Sequence, residues 1–85
     1  MNSVQIEKMY DEGRITSVPY DPMYPIDVFY DLGMNDMTSM WFRQTVGREF
    51  RYIDFYQNSG EAIPFYVNTM RDMYPKARWG RIILP

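Results

Sequence analysis

The sequence contains neither cysteine nor histidine. Without cysteine, the chain can form no disulfide bond and no cysteine-ligated zinc site. Without histidine, it lacks the commonest general base and the commonest transition-metal ligand. Any metal bound by this chain must therefore be held by oxygen ligands, which favours Mg²⁺ or Mn²⁺ over Zn²⁺.

Long apolar runs and targeting signals are also missing. No apolar run approaches the roughly 20 residues that are needed to cross a bilayer, and Met1 to Glu7 lack the pattern of a signal peptide. The length of 85 residues leaves room for one domain, and 46% hydrophobic residues is ordinary for a globular protein. We therefore expect a soluble, cytoplasmic, single-domain chain.

The charge is small but unevenly distributed. A net charge of −2 argues against a dedicated nucleic-acid-binding module, which is usually basic. Residues 1–42 carry two basic and seven acidic side chains, whereas residues 43–85 carry seven basic and four acidic ones. This distribution suits a metal-dependent enzyme acting on DNA, and chance explains it equally well.

The N-terminal part has a different character from the rest. A serine cap and a spaced apolar face predict a short helix from Ser3 to Glu12. Three prolines at positions 19, 22 and 25 then exclude a regular element and indicate an extended segment. We interpret residues 1–25 as a linker with a short helix, and residues 26–85 as the folded domain.

Three strands are predicted next. They cover Asp27–Asp31, Thr38–Val46 and Glu49–Tyr56. Gly47-Arg48 is a two-residue hairpin turn with glycine first, as a type II′ turn prefers. Strict alternation in the third strand puts Tyr52 and Phe55 on opposite faces. The aromatic side chains of these strands could stack on bases, but packing is the favoured interpretation. The three strands form an antiparallel meander.

A helix and a fourth strand complete the pattern. The helix should begin close to Glu61 and end before Pro75. Its apolar stripe consists of Ile63, Val67, Met70 and Tyr74. Ile82–Leu84 is a continuous apolar run, typical of a parallel, central strand buried on both faces. Because Pro85 follows directly, we expect that the polypeptide is cut short of a complete domain.

The order strand–strand–strand–helix–strand is the opening of an α/β, RNase H-like fold. Several blocks of the sequence resemble the large subunits of tailed-phage terminases, including an Asp-Leu-Gly-x-x-Asp-x-Thr core. The blocks are Val18–Pro22, Phe29–Thr38, Tyr52–Glu61, Pro64–Val67 and Ile82–Pro85. The resemblance implies a truncated RNase H-like nuclease domain whose last strand is parallel to its first.

In that family, an N-terminal ATPase drives DNA into the capsid and a C-terminal nuclease cuts the concatemer with two divalent metals. The resemblance implies a phage or prophage protein of a bacterial host, DNA as the partner of the parent enzyme, and Mg²⁺ or Mn²⁺ as cofactor. Asp31 would be the first metal-binding, catalytic carboxylate, and Gly33 would let the backbone turn sharply or let a phosphate approach closely. The alternative is that Asp31 only begins a turn. Asp36 is a weaker candidate ligand, and a role in stabilising the loop is favoured for it.

The family pattern continues, after the equivalent of Leu84-Pro85, with a His-Asp pair whose aspartate is the second metal ligand. The 85 residues contain neither that pair nor a phosphate-binding loop. We therefore expect no nuclease or ATPase activity from this chain alone.

Three interpretations stay open. The chain is an inert nuclease fragment or prophage remnant, or it is a nuclease that completes its metal site by self-association. Alternatively, it is a small interaction module that self-associates or pairs with another chain through the sheet edge beside Ile82–Leu84.

Overall fold

The computed structural model describes residues 18–85 of the chain, so the helix predicted from Ser3 to Glu12 lies outside the described residues. Residues 18–85 form four strands and one helix in the predicted order. These are β1 (Ile26–Leu32), β2 (Met37–Val46), β3 (Glu49–Ser59), α1 (Ile63–Met73) and β4 (Trp79–Ile83). No helix within residues 18–85 has the length and apolar character needed to cross a membrane.

The strands form one mixed sheet in the order β3-β2-β1-β4. β2 is antiparallel to both β1 and β3, whereas β4 is parallel to β1. α1 supplies the crossover that lets β4 run in the same direction as β1. The prediction of an α/β fold with an antiparallel meander, one crossover helix and a last strand parallel to the first is confirmed.

The core lies between α1 and one face of the sheet. Alternate residues of β1 and β2 point to this face, and Tyr66 and Met70 of α1 pack against them. Within residues 18–85 the buried apolar side chains are Ile26, Val28, Tyr30, Met40, Phe42, Ile53, Tyr66 and Met70. Each such burial contributes roughly 1.5–3 kcal/mol, so this contact holds the helix on the sheet.

The apolar stripe of the helix was predicted only in part. Met70 is buried, but Ile63 is 47% exposed, and Tyr66 is buried in its place. The helix begins at Ile63, close to Glu61 as predicted. Ile63 therefore lies in the first turn, while Tyr66 and Met70, four residues apart, share the face that meets the sheet.

β3 differs from its prediction in length and in the direction of its side chains. It extends past Tyr56 to Ser59, which pairs with Met37 of β2, and Gly60 with a φ of +77° follows it. The pairing with β2 shifts between Phe42 and Arg43, which leaves one extra residue in β3. Because of this bulge, Tyr52 and Phe55 lie on the same face, so the predicted strict alternation is wrong.

β4 is parallel, as predicted, but it is not central. It forms one edge of the sheet that residues 18–85 build. Ile82 is 42% exposed and Leu84 is 59% exposed, so the prediction of burial on both faces is wrong for these residues. Ile82 and Leu84 are exposed for two reasons. The buried side chains of α1 pack against the core residues of β1, β2 and β3, and no strand of the described residues pairs with the outer side of β4.

The proline-rich segment before β1 contains no helix or strand from residue 18 to residue 25, as predicted, but it is held against the domain. The side chain of Gln44 is fully buried, and its Nε2 donates to the carbonyl oxygens of Asp21 at 2.7 Å and Tyr24 at 2.8 Å. Its Oε1 accepts the N–H of Asp21 at 2.9 Å. Tyr20 also packs against the core. β2 therefore fixes the path by which the chain enters β1.

Replacing Gln44 with alanine should lower the free energy of unfolding by about 2–4 kcal/mol, because three backbone groups lose a buried partner. The measurement is urea denaturation followed by circular dichroism. Thr45→Ala, at the exposed neighbouring position, is the control and should change the value by less than about 0.5 kcal/mol. Equal effects of the two variants would show that the buried amide does not hold the segment.

Candidate functional site

Asp31 lies near the carboxyl end of β1, which is an inner strand of the sheet. Its neighbour Tyr30 points into the core, and burial raises the pKa of the Tyr30 hydroxyl. Asp31 therefore points to the opposite side, here called the open face, and it is exposed. A carboxylate in this position can reach a ligand without rearrangement of the strand.

Two polar residues stand in line with Asp31 on the open face. Ser39 of β2 is opposite Asp31, and Gln57 of β3 is opposite Ser39. Ser39 is buried, and the Oε1 atom of Gln57 is buried without a hydrogen-bond partner within residues 18–85. Of the three residues in this row only Asp31 is exposed, so its carboxylate is the oxygen ligand that a cation such as Mg²⁺ can reach directly or through water.

The end of β4 runs next to the end of β1. In the parallel pairing, Phe29 lies opposite Ile83, so the residues that follow Ile83 are directed along Asp31. Ligands of α/β proteins bind at the carboxyl ends of parallel strands. Asp31 and the end of β4 therefore lie side by side at this end of the sheet, where a ligand of such a sheet would be expected.

Asp36 lies in the hairpin that follows Asp31. Both Asn35 and Asp36 have left-handed backbone conformations, with φ of 56° and 57°. Asparagine and aspartate tolerate this region better than other non-glycine residues. The geometry matches the favoured role of Asp36 in the loop, whereas its role as a metal ligand stays a prediction.

Gly33 does not make the sharp turn that was expected of it. Its φ lies outside the left-handed region, and a Cβ there would meet the Cβ of Met37 at 3.5 Å, which is an ordinary contact. The N–H of Gly33 donates to the carbonyl oxygen of Met37 at 2.7 Å and closes the hairpin. The left-handed residues Asn35 and Asp36 make the turn instead.

The described residues do not gather a complete set of acidic ligands. No group of three or more aspartate or glutamate side chains within residues 18–85 is close enough to hold a metal ion. Within residues 18–85, Asp31 and Asp36 are the two predicted candidate ligands at this end of the sheet. One carboxylate and several waters is a common way of binding Mg²⁺ but cannot by itself hold two metals.

A second aspartate on the open face of β1 was missed by sequence reasoning. The Oδ1 atom of Asp27 accepts the N–H of Arg81 in β4 at 2.8 Å, and its Oδ2 lies 3.5 Å from Nη2 of Arg43 in β2. Asp27 therefore joins β1 to both neighbouring strands. A Cβ on Gly80 would collide with Oδ1 of Asp27. The isolated glycine before an apolar run is the sequence signal for this close approach.

Arg43 and aromatic side chains cover the part of the open face next to Asp27. The Arg43 guanidinium lies 4.4 Å from the ring centre of Phe29 and 4.2 Å from that of Phe50. Trp41 meets Phe55 edge-on, with ring centres 4.6 Å apart. These rings pack on one another and on Arg43, in agreement with the packing interpretation.

Comparison of the chain with protein-family models, with curated proteins and with solved structures found no match in any of the three. The likeness to terminase large subunits stays a prediction from the blocks of sequence. Function is therefore inferred from the residues and from their geometry.

Replacing Gly80 with alanine should lower the free energy of unfolding by about 1–3 kcal/mol, because the new Cβ displaces the Asp27 carboxylate from the N–H of Arg81. Thermal or urea denaturation measures the effect. In the double variant Asp27→Ala/Gly80→Ala, the second substitution should cost much less than it does alone, since the two residues are in contact.

Gly33→Ala is the matched control, because its Cβ meets only ordinary contacts. It should lower the stability by less than about 1 kcal/mol. Additive costs of Asp27→Ala and Gly80→Ala, or an equal cost at Gly33, would contradict the proposed contact.

Proposed function

We propose that this chain forms the opening part of a metal-dependent DNA-cutting domain of the kind found in tailed-phage terminase large subunits. Asp31 is then its first metal-binding carboxylate. The observation that supports this proposal most strongly is that Asp31 is exposed at the end of an inner strand, beside the end of the parallel strand β4. The terminase-like blocks of sequence around both strand ends agree with it.

The chemistry requires a carboxylate at that place. Bound divalent metals activate a water molecule and stabilise the leaving oxygen of the phosphodiester. In the family, the second acidic ligand follows directly after the segment equivalent to Leu84-Pro85. That segment follows Ile83, which pairs with Phe29 two residues before Asp31. Two acids placed in this way come from neighbouring strand ends and can share a metal.

Ser39 of β2 and Gln57 of β3 continue the row from Asp31 across the open face. Neither carries a formal charge, so Asp31 supplies the negative charge of this row.

We propose further that residues 18–85 bind a single divalent cation weakly and do not cut DNA. One exposed carboxylate holds one cation, and no third acidic side chain is brought to Asp31 among the described residues. This agrees with a fragment or prophage remnant of the larger enzyme.

Titration of ¹⁵N-labelled protein with Mn²⁺ should broaden the backbone amide signals of residues 30 to 36 first, and that of Leu84 with them. Paramagnetic broadening falls steeply with distance, so it locates the cation. The Asp31→Asn variant should lose this local broadening, because it keeps the shape of the side chain and removes the charge.

Asp72→Asn is the matched control, since Asp72 is an exposed carboxylate on α1. It should leave the broadening around Asp31 unchanged. Broadening that is centred elsewhere, or that persists in Asp31→Asn, would contradict the assignment of Asp31 as a metal ligand.

Incubation of the 85-residue chain with supercoiled plasmid and Mn²⁺ should give no nicking above that of the Asp31→Asn variant, because a two-metal site needs more acidic ligands than one. Gel electrophoresis of the plasmid measures the outcome. Nicking that requires Asp31 would mean that copies of the chain complete the site together, as one of the open interpretations states.

A further inference from the structure

One aromatic side chain of the open face remains largely exposed. Phe50 of β3 is 59% exposed, although the guanidinium of Arg43 lies over its ring at 4.2 Å from the ring centre. Phe50 pairs with Thr45, which lies on the same face of β2 as Arg43. Because the guanidinium covers one face of the Phe50 ring, the other face is the exposed one. A flat apolar surface is therefore presented to the solvent.

The Phe50 ring is held in place from below. Arg43 of β2 lies between Phe29 of β1 and Phe50 of β3, with ring centres at 4.4 and 4.2 Å from the guanidinium. Asp27 lies 3.5 Å from Nη2 of Arg43 and fixes the guanidinium from β1. The two rings and the guanidinium thus form three contacting layers that are anchored to three strands. A ring held in this way loses little conformational freedom when a further flat group stacks on it.

Basic side chains are concentrated at the same end of the sheet. All seven lysine and arginine residues within residues 18–85 lie in the half of the domain where β1 begins, and they are Arg43, Arg48, Arg51, Arg71, Lys76, Arg78 and Arg81. Five acidic residues lie in this half as well, and they are Asp21, Asp27, Glu49, Asp54 and Asp72. The half that contains Phe50 therefore carries an excess of positive charge.

Arg48 is exposed in the turn between β2 and β3, two residues before Phe50. Glu49 stands between them in the sequence, but it lies opposite Val46 and points to the side of the sheet covered by α1. There it pairs with Arg51 at 3.4 Å. Arg48 and Phe50 therefore form a corner, here called the Arg48–Phe50 corner, in which a cation lies next to an exposed aromatic face.

We propose that the Arg48–Phe50 corner binds single-stranded nucleic acid, with one base stacked on Phe50 and a phosphate beside Arg48. Aromatic rings next to basic side chains are the usual means of holding unpaired strands. A duplex does not fit, because the faces of its bases are covered by neighbouring bases. The corner and Asp31 lie at opposite ends of the sheet, so this proposal goes beyond the proposed function and requires no metal.

The binding should be weak and sensitive to salt. One stacked base and few phosphate contacts supply the affinity, and the net charge of −2 opposes the approach of a polyanion. Measurements at low salt are therefore required.

Fluorescence anisotropy of a labelled oligothymidylate of about 15 nucleotides, titrated with the 85-residue chain in EDTA, tests the proposal. The single strand should bind, and a duplex of the same length should bind at least about 5-fold more weakly. Phe50→Ala should weaken the binding of the single strand by about 5- to 150-fold, because the stacking of one base is lost. Phe50→Tyr keeps the ring and should bind as the unchanged chain does. Leu32→Ala is the matched control, since Leu32 is 60% exposed at the other end of the sheet.

Arg48→Gln and Arg71→Gln are a second matched pair, because each removes one positive charge and Arg71 lies on α1, on the other side of the sheet. Arg48→Gln should reduce the slope of log K against log salt concentration by about 0.7, and Arg71→Gln by much less. If Phe50→Ala loses the amide dispersion of a folded protein, this pair decides the question. No binding at low salt, equal effects of the two arginine variants, or a duplex that binds as tightly as the single strand overturns the proposal. Asp31→Asn should bind the single strand as the unchanged chain does, so this result is independent of the metal site.

Discussion

β1 is hydrogen-bonded on both of its sides, to antiparallel β2 and to parallel β4, and the other features of the domain depend on this double pairing. One face of β1 supplies the centre of the core, and the other carries Asp27, whose carboxylate contacts residues of both neighbouring strands. Because β4 pairs with β1 in parallel, the carboxyl ends of both strands lie at the same end of the sheet. The backbone pairing alone places Asp31 there.

Most elements could be predicted from the sequence because they depend on local signals. Gly47 adopts a φ of 62° as the first residue of its hairpin turn, and the helix ends before Pro75, as expected. The bulge in β3 could not be predicted, since it is a feature of the pairing between β3 and β2 and the alternation of residues along one strand does not reveal it. The position of β4 at an edge could not be predicted either, because a continuous apolar run describes the side chains of a strand and not the number of its neighbours.

The candidate site was predictable to a similar extent. The position of Asp31 at the end of the first strand was predicted from the sequence, and the structure places it near the end of β1. The contribution of Gly33 was misjudged, because a glycine in a turn can have an ordinary φ when an Asn-Asp pair adopts the left-handed conformations. The contact between Asp27 and Arg81 joins residues 54 positions apart, and the row of Ser39 and Gln57 depends on the strand register, so neither could be read from a local pattern.

The measurement that tests the central claim most directly is a set of nuclear Overhauser contacts between the backbone protons of β1 and β4. The parallel pairing predicts contacts of Val28 with Ile82 and its neighbours, and of Phe29 with Ile83 and its neighbours, which advance in the same direction along both strands. Such contacts would establish that the end of β4 lies beside Asp31. Contacts that advance in opposite directions, or no contacts between these strands, would contradict the architecture on which the proposed site rests.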